Sequence, residues 1–157
     1  MAKRSRISAG LMMYRLREGR LEVFLVHPGG PFFADRDAGA WSVPKGEVED
    51  GELLDTAVRE FAEETGKQPS PPYVALGAIK QRGGKTVHAW AFAGDWEAGR
   101  VLVSNTFEME WPRKSGQLQT FPEVDRGEFF AADVAREKIN VAQAELIDRL
   151  AAHLGLA

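Results

Sequence analysis

Residues 46–66 read GEVEDGELLDTAVREFAEETG, and this run decides the fold. Leu53–Thr65 has helical periodicity, and Gly66 is a natural C-terminal stop. Successive helical residues turn by about 100°, so with Glu60 at zero, Glu64 lies at about 40° and Glu63 at about −60°. The three carboxylates share one face. Leu54, Ala57, Val58, Phe61 and Ala62 fall between about 60° and about 200°, which predicts a buried apolar stripe with an acidic edge beside it. Carboxylates about 5 Å apart repel by about 3 kcal/mol at an effective dielectric of about 20. Arg59 is the only basic residue among them, placed to reach Glu63 one turn on. Such a face reads either as solvated surface or as a cation site. Oxygen-only ligands suit the hard cations Mg²⁺ or Mn²⁺.

The approach to the helix adds to the second reading. Gly46 and Gly51 let the backbone come close to a partner, and a carbonyl at Gly46 could join a metal site. Lys45, just before Gly46, reads as a surface lysine or as a contact for an anion. A metal, a lysine and a glycine-rich backbone together point to a phosphate ester or anhydride.

The stretch from Gly46 to Lys67 resembles the Nudix box of Nudix hydrolases, which runs G, five residues, E, seven residues, then R-E-U-x-E-E-x-G-U with U bulky and apolar. Gly46, Glu52, Arg59, Glu60, Phe61, Glu63, Glu64 and Gly66 fill its fixed positions, and the leading WSVPKG (41–46) is also typical. Two departures stand out. Only six residues, Leu53 to Val58, separate Glu52 from Arg59, and the last U position holds Lys67. The missing residue falls where loop becomes helix, so it moves Glu52 but leaves the spacing among Arg59, Glu60, Glu63 and Glu64 intact. The resemblance covers most of the chain and implies one domain over 1–157, an α/β/α sandwich with the box helix against a mixed sheet.

The resemblance also implies an activity: metal-dependent cleavage of a pyrophosphate bond in a nucleoside diphosphate linked to another group. Glu60 and Glu64 would be the principal Mg²⁺ or Mn²⁺ ligands, with Glu63 and the Gly46 carbonyl in support. Arg59 would orient the glutamates. A general base would come from the box or from a later acid, Glu108 or Glu110 in FEMEW (107–111), with Glu123 behind them. Lys45, Trp41, Arg82 and Trp90 are candidates for substrate contact. Phe33 and Trp111 could also stack on a base, and Lys80, Lys85, Arg113 and Lys114 could meet phosphates; for each of these and for Trp41, Arg82 and Trp90, core packing or plain surface is the favoured reading. Residues that mark some subfamilies downstream of the box are absent: Arg82 stands where ADP-ribose enzymes carry proline, and Gly84 where dinucleoside polyphosphate enzymes often carry tyrosine. The Ser-Gln-Pro-Trp-Pro stretch of NADH enzymes is missing too. A nucleoside triphosphate or dinucleoside polyphosphate substrate is the weakly favoured expectation. The alternative is a catalytically silent Nudix-fold module that senses a nucleotide, although such modules usually lose box acids.

Outward from the box, Ile7–Leu16 and Leu21–His27 read as strands around a turn at Glu18-Gly19. PGGPFFADRDAGAW (28–41) reads as a loop. YVALGAIKQ (73–81) and KTVHAWAFA (85–93) read as a hairpin about Gly83-Gly84. Short strands are expected at Val101–Val103, in FEMEW with Glu108 and Glu110 on one face, and in EVDRGEFF (123–130). PRKSGQLQT (112–120) reads as a loop, and His88 as structural or exposed. Residues 131–154 are helical, broken near Asn140, with Leu146, Ile147, Leu150 and Leu154 in a stripe.

Composition excludes little else. The chain has 157 residues, 44% hydrophobic and 27% charged, the balance of one ordinary globular domain. A net charge of −3 makes no global case for nucleic acid or membrane as partner. Without cysteine there is no disulfide, thiolate metal site or cysteine nucleophile, which also sets the chain apart from isopentenyl-diphosphate isomerases of this fold. The apolar run after the basic N-terminus ends at Arg15, too short for a signal peptide or a span. The expectation is a cytoplasmic protein with a small nucleotide-type substrate; a homodimer stays open.

Overall fold

The computed structural model describes residues 6–156. Two strands open the chain, β1 (Ile7–Arg17) and β2 (Arg20–Pro28). The turn between them has Glu18 and Gly19 both at positive φ, as a two-residue hairpin of this twist requires. A short β3 (Lys45–Glu47) and the helix α1 (Leu53–Thr65) follow. Next come the hairpin β4 (Val74–Lys80) and β5 (Thr86–Ala93), the ribbon β6 (Thr106–Glu110) and β7 (Leu118–Pro122), and β8 (Val124–Ala131). The chain ends in α2 (Ala132–Lys138), a 3-10 turn at Val141–Gln143 and α3 (Ala144–His153).

The main sheet runs β4-β5-β1-β2-β8, with β3 added beside β1. Among the described strands only β1 and β5 pair in parallel, so the sheet is mixed. Both its faces are covered, which is why β1 and β2 read as nearly unbroken apolar runs. Ala9, Leu11 and Met13 point to one side, where they join Phe24, Ala57 and Phe61 beneath α1. Met12, Leu21, Val23 and Leu25 point to the other, against Leu146, Ile147 and Leu150 of α3. The result is the expected α/β/α sandwich.

β1 and β2 splay apart, and the gap holds the approach to α1. β1 pairs with β2 only from Tyr14 to Arg17; nearer its start, Ser8–Gly10 pair instead with Glu47–Lys45. Ser42 bridges to Val26, and Leu11 N donates to the Pro44 carbonyl at 3.1 Å. Residues 42–47 are thus wedged between the two strands. Gly10 makes room: a Cβ there would stand 2.7 Å from the Pro44 carbonyl and 2.8 Å from Lys45 Cβ.

Several expectations are corrected here. Val101–Val103 forms no strand; it closes the end of α1 instead. Val103 N donates to the Thr65 carbonyl at 3.1 Å and Asn105 N to that of Glu63 at 3.3 Å, satisfying carbonyls that a helix end leaves open. Leu118–Thr120, read as loop, belongs to β7, because the apolar positions of β6 needed an antiparallel partner: Phe107 faces Phe121 and Met109 faces Gln119. A two-stranded ribbon has little stability of its own. This one leans on loop 29–33, where Gly29 N donates to the Glu123 carbonyl at 2.9 Å. A Cβ on Gly29 would lie 2.0 Å from the Pro122 carbonyl, which is backbone and cannot swing away. Gly29→Ala is therefore expected to cost roughly 1–3 kcal/mol by overpacking, read as a lowered urea midpoint with an unchanged slope.

Candidate active site

Glu52 stands at the N-cap of α1: its backbone carbonyl accepts from Thr56 N at 3.1 Å while its exposed side chain makes no cap. At the other end Gly66, at φ 80°, closes the helix through its N–H to Ala62. Between them the buried positions are Thr56, Ala57, Phe61, Glu64 and Thr65. This corrects the expected edge. Glu64 does not flank the apolar stripe but lies within it, 8% exposed. Leu54, Val58 and Ala62 are only half-buried.

Glu64 is kept there by the wedge. The Lys45 backbone N donates to Glu64 Oε2 at 3.2 Å. Burial, reinforced by the charge of Glu60, pushes the Glu64 carboxyl up to about 8, with Lys45 opposing. Burial also raises Glu60, reinforced by Glu63 and opposed by Arg59. The Lys45 ammonium is drawn down by burial and partly restored by Glu64. Glu60 presses against the glycine of the wedge, for a Cβ on Gly46 would fall 2.1 Å from the Glu60 carboxyl carbon. Arg59 Nη1 spans Glu60 at 3.2 Å and Glu63 at 3.3 Å.

The pH dependence follows from the raised Glu64. An acid whose folded pKa lies above its unfolded value binds more protons in the folded state between the two. Stability is then expected to fall as pH rises from about 4.5 towards about 8 and to level beyond. The loss amounts to a few kcal/mol, read as a declining melting temperature in EDTA. Glu64→Gln should flatten that decline.

Two hollows flank α1. The smaller, about 150 Å³, is lined by Lys45, Glu64 and Glu123 together with Val26, Pro28, Ser42, Val43 and Val124. The larger, about 560 Å³, lies along Leu54, Val58, Ala62 and Tyr73, with Arg59 and Glu63 on its rim. The smaller one is where charged groups from three separate segments converge, so it is the candidate site. Glu123 acts electrostatically on both Glu60 and Glu64.

The other sequence candidates divide. Trp41 is 1% exposed; its indole donates to Asp37 Oδ1 at 2.8 Å and its ring packs edge-on to Phe130, so it is core and no stacking platform. Trp90 is half-buried against the cluster beneath α1. Arg82 sits exposed at the tip of the β4–β5 hairpin and lines neither hollow. Glu108 and Glu110 share the expected face of β6, but both are exposed and line neither hollow, and Glu110 accepts the Lys114 backbone N–H at 2.8 Å. Glu123, ranked behind them, is the later acid that reaches the box.

Two supporting residues went unread in the sequence. Gln143, 1% exposed, accepts from Val43 N at 3.0 Å and donates to Ser42 Oγ at 3.0 Å, which holds the wedge from behind. Its signal was a polar residue in an otherwise apolar helical stripe. His27 is fully buried: Nε2 donates to the Arg36 carbonyl at 2.7 Å, and Nδ1 lies 2.8 Å from Asp125 Oδ1. It ties loop 28–40 to the segment that carries Glu123.

A family model described as the NUDIX domain matches residues 4–150. The chain belongs to the Nudix hydrolase family. No curated protein matches this Nudix chain in sequence. Solved structures share its fold. The NUDIX domain of Shewanella oneidensis NrtR, solved with ADP ribose, is 18% identical at a TM-score of 0.66, covering 98% of this chain and 90% of that one. A Caenorhabditis elegans Ap4A hydrolase in a binary complex is 22% identical at 0.62, over 95% and 97%. A MutT protein of Methanosarcina mazei Go1 is 21% identical at 0.62, over 98% of each. Among the described residues of this Nudix domain, no helix is long and apolar enough to cross a membrane.

Among the described residues, no group of three or more acidic or histidine side chains is arranged as it stands to hold a metal ion. The donor set nevertheless fits one. Glu60 and Glu64 are crowded carboxylates held against their ionisation, and Gly46 is cut away where Glu60 meets the wedge backbone. All these donors are oxygens, as a hard divalent cation prefers.

Proposed function

We propose that this Nudix hydrolase cleaves a pyrophosphate bond in a nucleoside diphosphate-linked substrate, with Mg²⁺ or Mn²⁺ held by Glu60 and Glu64. A nucleoside triphosphate or dinucleoside polyphosphate is the favoured type. The observation that carries the reading is the meeting of Lys45, Glu64 and Glu123 in one small hollow, with Glu60 beside it against Gly46. The Gly46 carbonyl and Glu63 would be supporting ligands. Arg59, bonded to both Glu60 and Glu63, keeps these side chains from swinging apart.

A cation held by Glu60 and Glu64 would supply positive charge to neutralise the diphosphate and polarise the bond to be broken. The Lys45 ammonium adds a positive charge beside Glu64 for a phosphate oxygen. Glu123 takes a proton from the attacking water as its oxygen bonds to phosphorus. The bridging P–O bond then breaks, and that oxygen leaves with the departing phosphate group. Val26, Val43 and Val124 line the hollow and limit bulk water.

A panel of nucleotides with Mg²⁺ or Mn²⁺, followed by phosphate and pyrophosphate release, tests this. Release from at least one nucleotide that stops with EDTA is the expected result. Tight nucleotide binding with no turnover on any member would favour the silent sensing module. The three box acids Glu60, Glu63 and Glu64, all present, argue against that rival.

A further inference from the structure

Beyond the hollow, loop 29–33 and the β6–β7 ribbon build a second surface. Gly30 lies under Phe107, where a Cβ would stand 2.8 Å from the ring. Further out, Phe32 meets Trp111 edge-on, with ring centroids 6.0 Å apart. The Arg113 guanidinium lies over the Phe32 ring, 5.3 Å from its centroid. Phe32 is 47% exposed, Trp111 half-buried and Arg113 exposed. Among the described residues Arg113 has no carboxylate partner. Its guanidinium thus has the Phe32 ring on one side, and its N–H fork has no carboxylate.

This surface is tied to the hollow. Gly29 N bonds the Glu123 carbonyl, and three chain steps of about 3.8 Å place the Phe32 Cα within about 11 Å of Gly29. That is the scale of one nucleotide. A planar cation over an aromatic ring, with a second ring beside it, suits a base rather than a phosphate alone. The fork offers donors only. Glu110, the acceptor nearest Arg113 in sequence on β6, is engaged by the Lys114 amide. A donor fork matches the adjacent O6 and N7 acceptors of guanine, whereas the amino group of adenine presents a donor there.

We propose that Phe32, Trp111 and Arg113 form the base subsite of the substrate, and that the subsite prefers guanine to adenine. This rests on the nucleotide reading above but can fail separately from it. The test titrates GDP, ADP and inorganic pyrophosphate into the full chain by equilibrium dialysis, with tryptophan fluorescence in parallel. GDP is expected to bind about tenfold or more tighter than ADP, and pyrophosphate weaker than either. Arg113→Ala should bring GDP to the ADP level with an unchanged melting temperature. Arg113→Lys should do the same, because an ammonium neither stacks flat nor forks. Trp111→Phe should retain GDP binding and lose its fluorescence change. Equal affinity for GDP and ADP in the wild type would overturn the subsite. So would a guanine preference that survives Arg113→Ala, or pyrophosphate binding as tightly as GDP. Selective GDP binding with no hydrolysis of any nucleotide would leave the subsite standing and sink the hydrolase reading.

Discussion

Glu64→Gln should lower turnover by several orders of magnitude while leaving the protein folded. Glutamine keeps the size of the side chain, and its amide oxygen can still accept from Lys45 N where Glu64 does now at 3.2 Å. The charge, however, is gone, and a neutral amide oxygen binds a hard dication more weakly than a carboxylate does. Because the ionised Glu64 is costly in its buried position, the variant is expected to be more stable than wild type at pH 8 without metal. Opposite signs for activity and stability identify a residue kept for chemistry rather than packing. Glu60→Gln should behave similarly in turnover, with a smaller gain in stability because Glu60 is less deeply buried. Steady-state rates at saturating Mg²⁺, paired with melting curves in EDTA, check both. Normal turnover in Glu64→Gln would remove it from the metal site.

Gly46→Ala is expected to act on activity with almost the same force, by a different route. The new methyl would stand 2.1 Å from the Glu60 carboxyl carbon and 2.4 Å from each carboxylate oxygen. Those atoms end a flexible side chain held by one exposed bond from Arg59, worth little as a surface pair, so Glu60 can rotate away at little cost in stability. Its carboxylate then leaves the place opposite the wedge. A loss of about 100-fold or more in kcat is expected, since a misplacement of about 1 Å already costs that much. The melting temperature should barely move. A contrast is available in the same protein: at Gly29 the obstructing atom is a backbone carbonyl, and there the effect should appear in stability instead. If Gly46→Ala retains wild-type kcat, the packing of Glu60 on residue 46 has no catalytic meaning.

Much of this was legible from residues alone, and the reasons are local. The box helix was readable because its period, its glycine stop and its acids all lie within one run of residues. β1, β2, β4 and β5 were readable because tight turns announce hairpins and because apolar runs of that length must be buried. The misreadings concern features set by distant partners. Leu118–Thr120 becomes a strand only because β6 lies opposite. Val101–Val103 is drawn to open carbonyls of a helix some forty residues earlier in the chain. The depth of Glu64 depends on a wedge that exists because β1 and β2 diverge, and no spacing within the box encodes that divergence. Trp41 looked like a ring free to stack because nothing nearby in sequence shows Phe130 closing on it, nearly ninety residues further on. Glu123 was ranked below Glu108 and Glu110 for the same reason. A β-strand places alternate residues on one face, but only the fold says which end of the ribbon stands at the box.

The two ends of the ribbon meet: Glu123 N donates to the Asn105 carbonyl at 2.8 Å, and among the described residues no strand of the main sheet pairs with what lies between. Residues 106–122 are thus an excursion from two points that already touch, propped on loop 29–33. Such a segment can be exchanged, lengthened or trimmed in laboratory or natural variation while the chain on either side stays in place. Changes of substrate should therefore accumulate between 106 and 122, on an appendage the sheet does not need.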